Sequence, residues 1–232
     1  MTGLPQFKDR GEAGRQLAAA LSSVDPRNTV VVALPRGGVP VGEEICKAFH
    51  LPLDLVFVRK IGAPGQPELA IGAVTDGAHP KVTVNEHIAN SFGRTRADVE
   101  AMGQALLPEI ARRRELYMEG IKRPDLKGKT LIVVDDGVAT GATVRASLLA
   151  LRESGASHII LALPVAAPDR LSDLAKLADQ TVCLYQPDPF YAVGAAYQRF
   201  PQTSDSEVVA AMRLCAKWPV SELHVTEGRK RT

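Results

Sequence analysis

Cysteine is scarce in this chain and offers no obvious pairing. Cys46, Cys183 and Cys215 stand far apart, with no CxxC spacing, which argues against a disulfide framework or a structural zinc site and suits a reducing compartment. Cys183 sits in an apolar run and reads as core rather than nucleophile. The five histidines make no HExxH or similar metal-binding spacing. Charge of one sign is also missing: 28 Lys and Arg face 26 Asp and Glu, a formal net charge of +2. That leaves no global electrostatic case for nucleic acid or a membrane surface. No apolar run is long enough to span a bilayer and no secretory leader is evident, so a cytoplasmic protein is expected. Internal repeats and low-complexity segments are absent as well.

What is present is an ordinary globular composition over 232 residues, 45% hydrophobic and 23% charged, enough for one α/β domain with an insertion. Short β-branched runs predict strands at 29–34, 53–58, 130–135, 158–164 and 181–185. Amphipathic stretches predict helices at 10–22, 40–49, 143–154 and 169–178. Such alternation, with strands apolar throughout, predicts a Rossmann-like parallel sheet flanked by helices.

The stretch from Lys129 to Thr143, KTLIVVDDGVATGAT, carries the chemistry. An apolar strand ends in Asp135 and Asp136, at the sheet edge where open α/β folds bind ligands. Gly137, Val138, Ala139, Thr140, Gly141, Ala142 and Thr143 then form a small-residue loop opening a helix. It offers backbone amides, two hydroxyls and a positive helix end to an anion. Carboxylates repel phosphate, so the two halves serve different groups of one ligand: sugar hydroxyls or a metal for the acids, phosphate for the loop. A phosphorylated sugar satisfies both. A receiver-type acidic pocket would instead place its acids near the first strand and needs no phosphate loop.

Two further turns follow predicted strands. In Leu34-Pro35-Arg36-Gly37-Gly38-Val39-Pro40, Arg36 supplies a fork of donors and two glycines let backbone amides approach an anion. In Val58-Arg59-Lys60-Ile61-Gly62-Ala63-Pro64-Gly65, two cations end a strand, and Gly62, Pro64 and Gly65 predict a loop. Glu68 in that loop is a candidate general acid or base by position alone.

The acid pair with its T-G-x-T loop resembles the phosphoribosyl-pyrophosphate (PRPP) signature of type I phosphoribosyltransferases. The R-G-G turn is similar to that family's pyrophosphate loop, which often holds an unusual cis peptide. Arg59 to Gly65 is similar to the R-K-x-G-x-x-P-G segment of its adenine-type branch, which leads into a mobile lid. The resemblance covers the chain to about Trp218, and the whole looks like a group of bacterial proteins described only as phosphoribosyltransferases of unassigned acceptor. It implies transfer of the 5-phosphoribosyl group of PRPP to a nitrogenous base or amine, with Mg²⁺ and release of pyrophosphate. Asp135 and Asp136 would hold the ribose hydroxyls and, through PRPP oxygens, the metal. The loop from Gly137 to Thr143 would hold the 5-phosphate, while Arg36, Gly37, Gly38, Arg59 and Lys60 would hold pyrophosphate. Asp135, Asp136, Arg36 and Lys60 are the expected catalytic residues. Ala139 stands where the 6-oxopurine branch has an aspartate, which disfavours hypoxanthine and guanine. A non-catalytic PRPP- or nucleotide-sensing regulator is the alternative, and a homodimer is plausible.

One phosphoribosyltransferase domain is expected over 1–217, with a flexible tail at 218–232. Residues 75–127 form an insertion containing a strand at 81–85 and a long helix at 95–119, either an arm on the core or a dimer contact. Thr95 and Asp98 resemble a capping pattern, and Pro108 predicts a disturbed or split helix. Arg112 to Arg114 read as a solvated face, with a phosphate or RNA patch as the minority reading. The proline-punctuated segment 186–208 predicts a small hood, whose Phe190, Tyr191 and Tyr197 either stack on a base or cover a hydrophobic edge.

Overall fold

The computed structural model describes residues 6–22, 24–75 and 80–218. The side chains of Pro67, Glu68 and Lys81 also lie outside the described set, and so do the tail from 219 onward and any role for the Glu68 carboxylate. In chain order the elements are α1 (Arg10–Ala20), β1 (Thr29–Ala33), α2 (Gly38–Phe49), β2 (Leu53–Leu55), β3 (Val58–Ala63), β4 (Gln66–Thr75), β5 (Lys81–Val84), α3 (Glu86–Ser91), α4 (Arg96–Met118), β6 (Thr130–Val134), α5 (Ala142–Glu153), β7 (His158–Val165), α6 (Pro168–Ala175), β8 (Gln180–Tyr185) and α7 (Asp205–Cys215).

Five strands form a parallel sheet in the order β2-β1-β6-β7-β8. Alternate residues of each strand fill opposite cores. Val31, Ala33, Ile132, Val134 and Ile160 pack with α1, α2 and α7 on one face. Val30, Val32, Leu131, Val133 and Ile159 pack with α5 and α6 on the other. Both faces are dry, which is why the strands read as unbroken apolar runs. From β1 the chain winds outward to β2, and from β6 it winds the other way through β7 to β8. The β1/β6 junction is therefore the switch point of the sheet, where a crevice opens at the strands' carboxyl ends.

A second sheet, β3-β4-β5, is antiparallel. The strand expected at 53–58 is thus two: Leu53–Leu55 completes the parallel sheet and Val58 begins the other. The loop expected after Lys60 is a hairpin, its turn reduced to Pro64 and Gly65, because Ile61 and Ile71 bury against Val99 of α4. Residues 58–75 and the expected insertion at 75–127 make one unit. Helix α4 opens on a capping box between Thr95 and Asp98. Pro108 does not split it, for it faces solvent while Val99 and Ile110 anchor the turns on either side. Val99 joins the small core and Ile110, Tyr117 and Met118 the large one. This packing outweighs the hydrogen bond a proline forfeits.

The fold also brings together two of the cysteines that the sequence keeps apart. Cys46 of α2 and Cys215 of α7 are buried free thiols, and burial, with Cys215 alongside, pushes the Cys46 thiol well up.

Candidate active site

Parallel pairing of Ala33 with Val134 sets the turns after β1 and β6 side by side. Leu34 N–H donates to the Val134 carbonyl at 2.9 Å and closes the junction. The Pro35–Arg36 peptide bond is cis. Gly37 then lies against the Asp136 carboxylate, and a Cβ on Gly38 would sit 2.6 Å from the Val134 carbonyl oxygen. Only residues without side chains let the two turns meet this closely.

Asp135 accepts the Asp136 backbone N–H at 2.9 Å. Burial raises its pKa well above the usual carboxylate value, and the neighbouring Asp136 charge raises it further. Burial raises Asp136 too, but the Arg10 guanidinium opposes the shift. The phosphate-type loop is pinned from below: Val138 N–H donates to Val165 O at 2.9 Å, and Ala167 N–H donates to Val138 O at 3.1 Å. Gly141, at φ 76°, turns the chain into α5 without a side-chain cap. Ala139, Thr140 and Thr143 are exposed around it. Helix α2, behind Gly37, also begins without a side-chain cap. Two positive helix ends, each worth about half a charge, thus open on one crevice beside two acids. Helix α2 begins at Gly38, two residues before the proline expected to start it.

Arg36 and Arg59 line one small cavity. Arg36 Nη1 lies 3.2 Å from Asp205 Oδ1, and Arg59 pairs with Glu109. Lys60 follows Arg59 in a strand, so the two side chains leave opposite faces of β3. Lys60 is exposed and does not line the cavity.

The 186–208 segment splits in two. Tyr191 is 74% exposed. Phe190 packs on a buried cluster of Phe7, Val165 and Tyr197, covering an edge of the sheet. Tyr197 is buried, and its hydroxyl donates to the Asp136 carbonyl at 2.5 Å. It supports the acid pair from behind instead of opening toward a ligand.

Arg10, a further residue of the site, carries no signal in sequence. Arg10 Nε donates to Asp136 Oδ2 at 2.7 Å across 126 positions. Its guanidinium lies 3.8 Å over the Phe200 ring, and Nη1 donates to Pro201 O at 2.6 Å. No spacing could join α1 to β6. Arg113 corrects the expectation of a solvated Arg112–Arg114 face: Arg112 is exposed, but Arg113 and Arg114 are half-buried and Arg113 lines the cavity with Arg36 and Arg59. Glu109, Arg113 and Tyr117, at i, i+4 and i+8, form a stripe that helical spacing alone makes legible.

Fold and site define an α/β protein with a crevice at the switch point of its sheet, where two acids, a small-residue loop and the Arg36 turn meet. The family profile described as "Phosphoribosyl transferase domain" matches residues 6–198, and the chain belongs to that family. It is 44% identical over 205 residues to a Mycobacterium tuberculosis protein named a "putative phosphoribosyl transferase", covering 88% of this chain and 46% of the relative. The chain spans about half the length of the curated relatives it matches at that level. A solved Thermus thermophilus protein superimposes with a TM-score of 0.79 at 35% identity, over 92% of this chain and 99% of that one. A ribose-phosphate pyrophosphokinase of Nostoc is 31% identical over 114 residues, covering 48% of this chain and 32% of the relative.

Proposed function

We propose that this chain is an Mg²⁺-dependent phosphoribosyltransferase that moves the 5-phosphoribosyl group of PRPP onto a nitrogenous acceptor and releases pyrophosphate. The juxtaposition of the Asp135–Asp136 pair, the uncapped start of α5 and the Arg36 turn at one sheet junction carries this reading. A phosphorylated sugar bearing a second anionic group satisfies acids, loop and arginines together.

In this reading the loop from Gly137 to Thr143 anchors the 5-phosphate, so that binding remote from the reacting carbon aligns it. Asp135 and Asp136 accept the ribose hydroxyls and favour the positive charge that builds at C1. The C1–O bond to pyrophosphate breaks, and a bond from C1 to the acceptor nitrogen forms. Arg36 and Arg59 stabilise the departing anion, whereas Lys60 leaves the opposite face of β3 and does not reach it. The acid pair fits Mg²⁺ in part: its oxygens are suitably hard, but among the described residues no cluster of three or more acids, histidines or cysteines could hold a metal alone. Asp135 and Asp136 would therefore hold it jointly with PRPP oxygens, and it would supply charge neutralisation on the phosphates. Ala139 is exposed and brings no carboxylate to the acceptor, and Tyr191 is an exposed aromatic of the hood segment. A cytoplasmic setting, with three free thiols, belongs to the same reading. Among the described residues no helix is long and apolar enough to cross a membrane.

A PRPP- or nucleotide-sensing regulator is the second reading. Arg10 favours it, because the guanidinium already occupies Asp136 Oδ2. Pyrophosphate release, screened over bases and small amines with Mg²⁺ and PRPP, separates the two. Release with one acceptor supports the transferase, and saturable PRPP binding without release against any acceptor supports the sensor.

A further inference from the structure

Helix α4 starts on the small antiparallel sheet and ends in the large core, where it reaches the Arg36 turn. Arg113 and Arg59 both pair with Oε1 of Glu109, the Arg113 Nη2 contact being 3.1 Å. Two guanidinium groups from different elements therefore converge on one oxygen. On the other side of the cavity, Asp205 Oδ1 accepts from the Tyr117 hydroxyl at 2.6 Å and lies 3.2 Å from Arg36 Nη1. Phe57 stacks on Tyr117 at 6.1 Å between ring centroids, and Ile110 closes the apolar side.

Like charges gather here only because Glu109 and Asp205 sit between them. Both carboxylates are well exposed, with 41% and 51% of their side-chain surface open, whereas the cavity has an apolar floor. Exposed ion pairs contribute about 1 kcal/mol or less, so a multiply charged oxyanion with several acceptors can displace them. Guanidinium groups present fixed forks suited to such an anion.

We propose that Arg113 is a third anion-binding arginine, and that Glu109 is an internal counter-anion which an incoming diphosphate group displaces from Arg59 and Arg113. The inference rests on the transferase reading and deepens it: α4 becomes a wall of the leaving-group site instead of an appendage. Tyr117 fixes the depth of the cavity, and its own proton is held by burial and by Asp205, up to about 12.

Calorimetric titration of the full chain with inorganic pyrophosphate tests this without an acceptor or turnover. R113Q should weaken binding by about tenfold, the loss of one charge-assisted fork, and R113K should fall between R113Q and the parent. R112Q, on the exposed neighbour, should leave affinity unchanged. E109Q should tighten pyrophosphate about threefold, because the competing carboxylate is gone; a residue of purely structural importance would not do this. Ribose 5-phosphate affinity, which reports the 137–143 loop, should not change in R113Q. Pyrophosphate affinity unchanged in R113Q, or weakened in E109Q, would overturn the proposal. If PRPP is turned over while pyrophosphate ignores Arg113, the inference falls alone. If the parent protein binds neither pyrophosphate nor ribose 5-phosphate, the transferase reading falls with it.

Discussion

Gly37 lies so close to Asp136 that a methyl group on its Cα would collide with the carboxylate. The turn after β1 and the turn after β6 are therefore one structure, and neither can move without the other. Gly37→Ala should push Asp136 off its position. The expected outcome is a loss of about 1–3 kcal/mol in stability from overpacking and a weakening of PRPP binding by about tenfold or more. Denaturant unfolding and titration calorimetry measure the two separately.

The two acids should respond unequally to neutralisation. The folded state raises the pKa of Asp135, so the native form holds its proton more tightly than the unfolded chain. That contribution to stability is complete below the unfolded value near 3.8 and is lost as pH rises through the folded value. Asp135→Asn removes the buried charge, so its melting temperature should exceed the parent's at pH 7 to 8 by a few degrees, with the gap closing toward pH 4. Burial raises the Asp136 pKa too, but Asp136→Asn also leaves Arg10, whose side chain is 11% exposed, without its anionic partner, so its melting temperature at pH 7 to 8 should lie below that of Asp135→Asn. Both variants should lose PRPP binding. Thermal melts over a pH series check the signs.

Tyr197→Phe tests the support behind the acids. It deletes the 2.5 Å hydrogen bond to the Asp136 carbonyl in a buried position, at a cost of about 1–2 kcal/mol. KM for PRPP should rise more than kcat falls, since the substitution perturbs ribose positioning and not the leaving group.

Arg123 and Asp54 give a structural control, since neither lines the cavity of Arg36, Arg59 and Arg113. The guanidinium donates to both oxygens of Asp54, at 3.1 and 2.9 Å, and the Asp54 side chain is 1% exposed. Arg123→Ala leaves a buried charge unpaired and should destabilise the fold by about 3–5 kcal/mol. At a temperature where the variant is still folded, PRPP affinity should match that of the parent.

The sequence made the parallel sheet legible for a physical reason. Val30 to Val32 and Leu131 to Val133 are buried on both faces, so their apolar character is unbroken. The acid pair and the small-residue loop were legible because the chemistry lies in one contiguous stretch. The hairpin at 58–75 was hidden because Gly62, Pro64 and Gly65 promise a loop, while the pairing of Ile61 with Gly72 depends on a helix some thirty residues further on. Pro108 misled in the same way, since local propensity yielded to packing on both sides of it. Arg10 was illegible in principle, because its contact with Asp136 joins elements far apart in the chain. Arg113 was legible only as one face of a helix whose partner elements the sequence does not specify.

A phosphoribosyltransferase crevice must take PRPP through its acids. Titration calorimetry with PRPP and Mg²⁺, comparing the parent chain with the Asp135→Asn, Asp136→Asn double variant, tests this most directly. Saturable one-to-one binding by the parent, abolished in a double variant that still melts cooperatively, is the result the account requires. Equal binding by both proteins, or none by the folded parent, would contradict it.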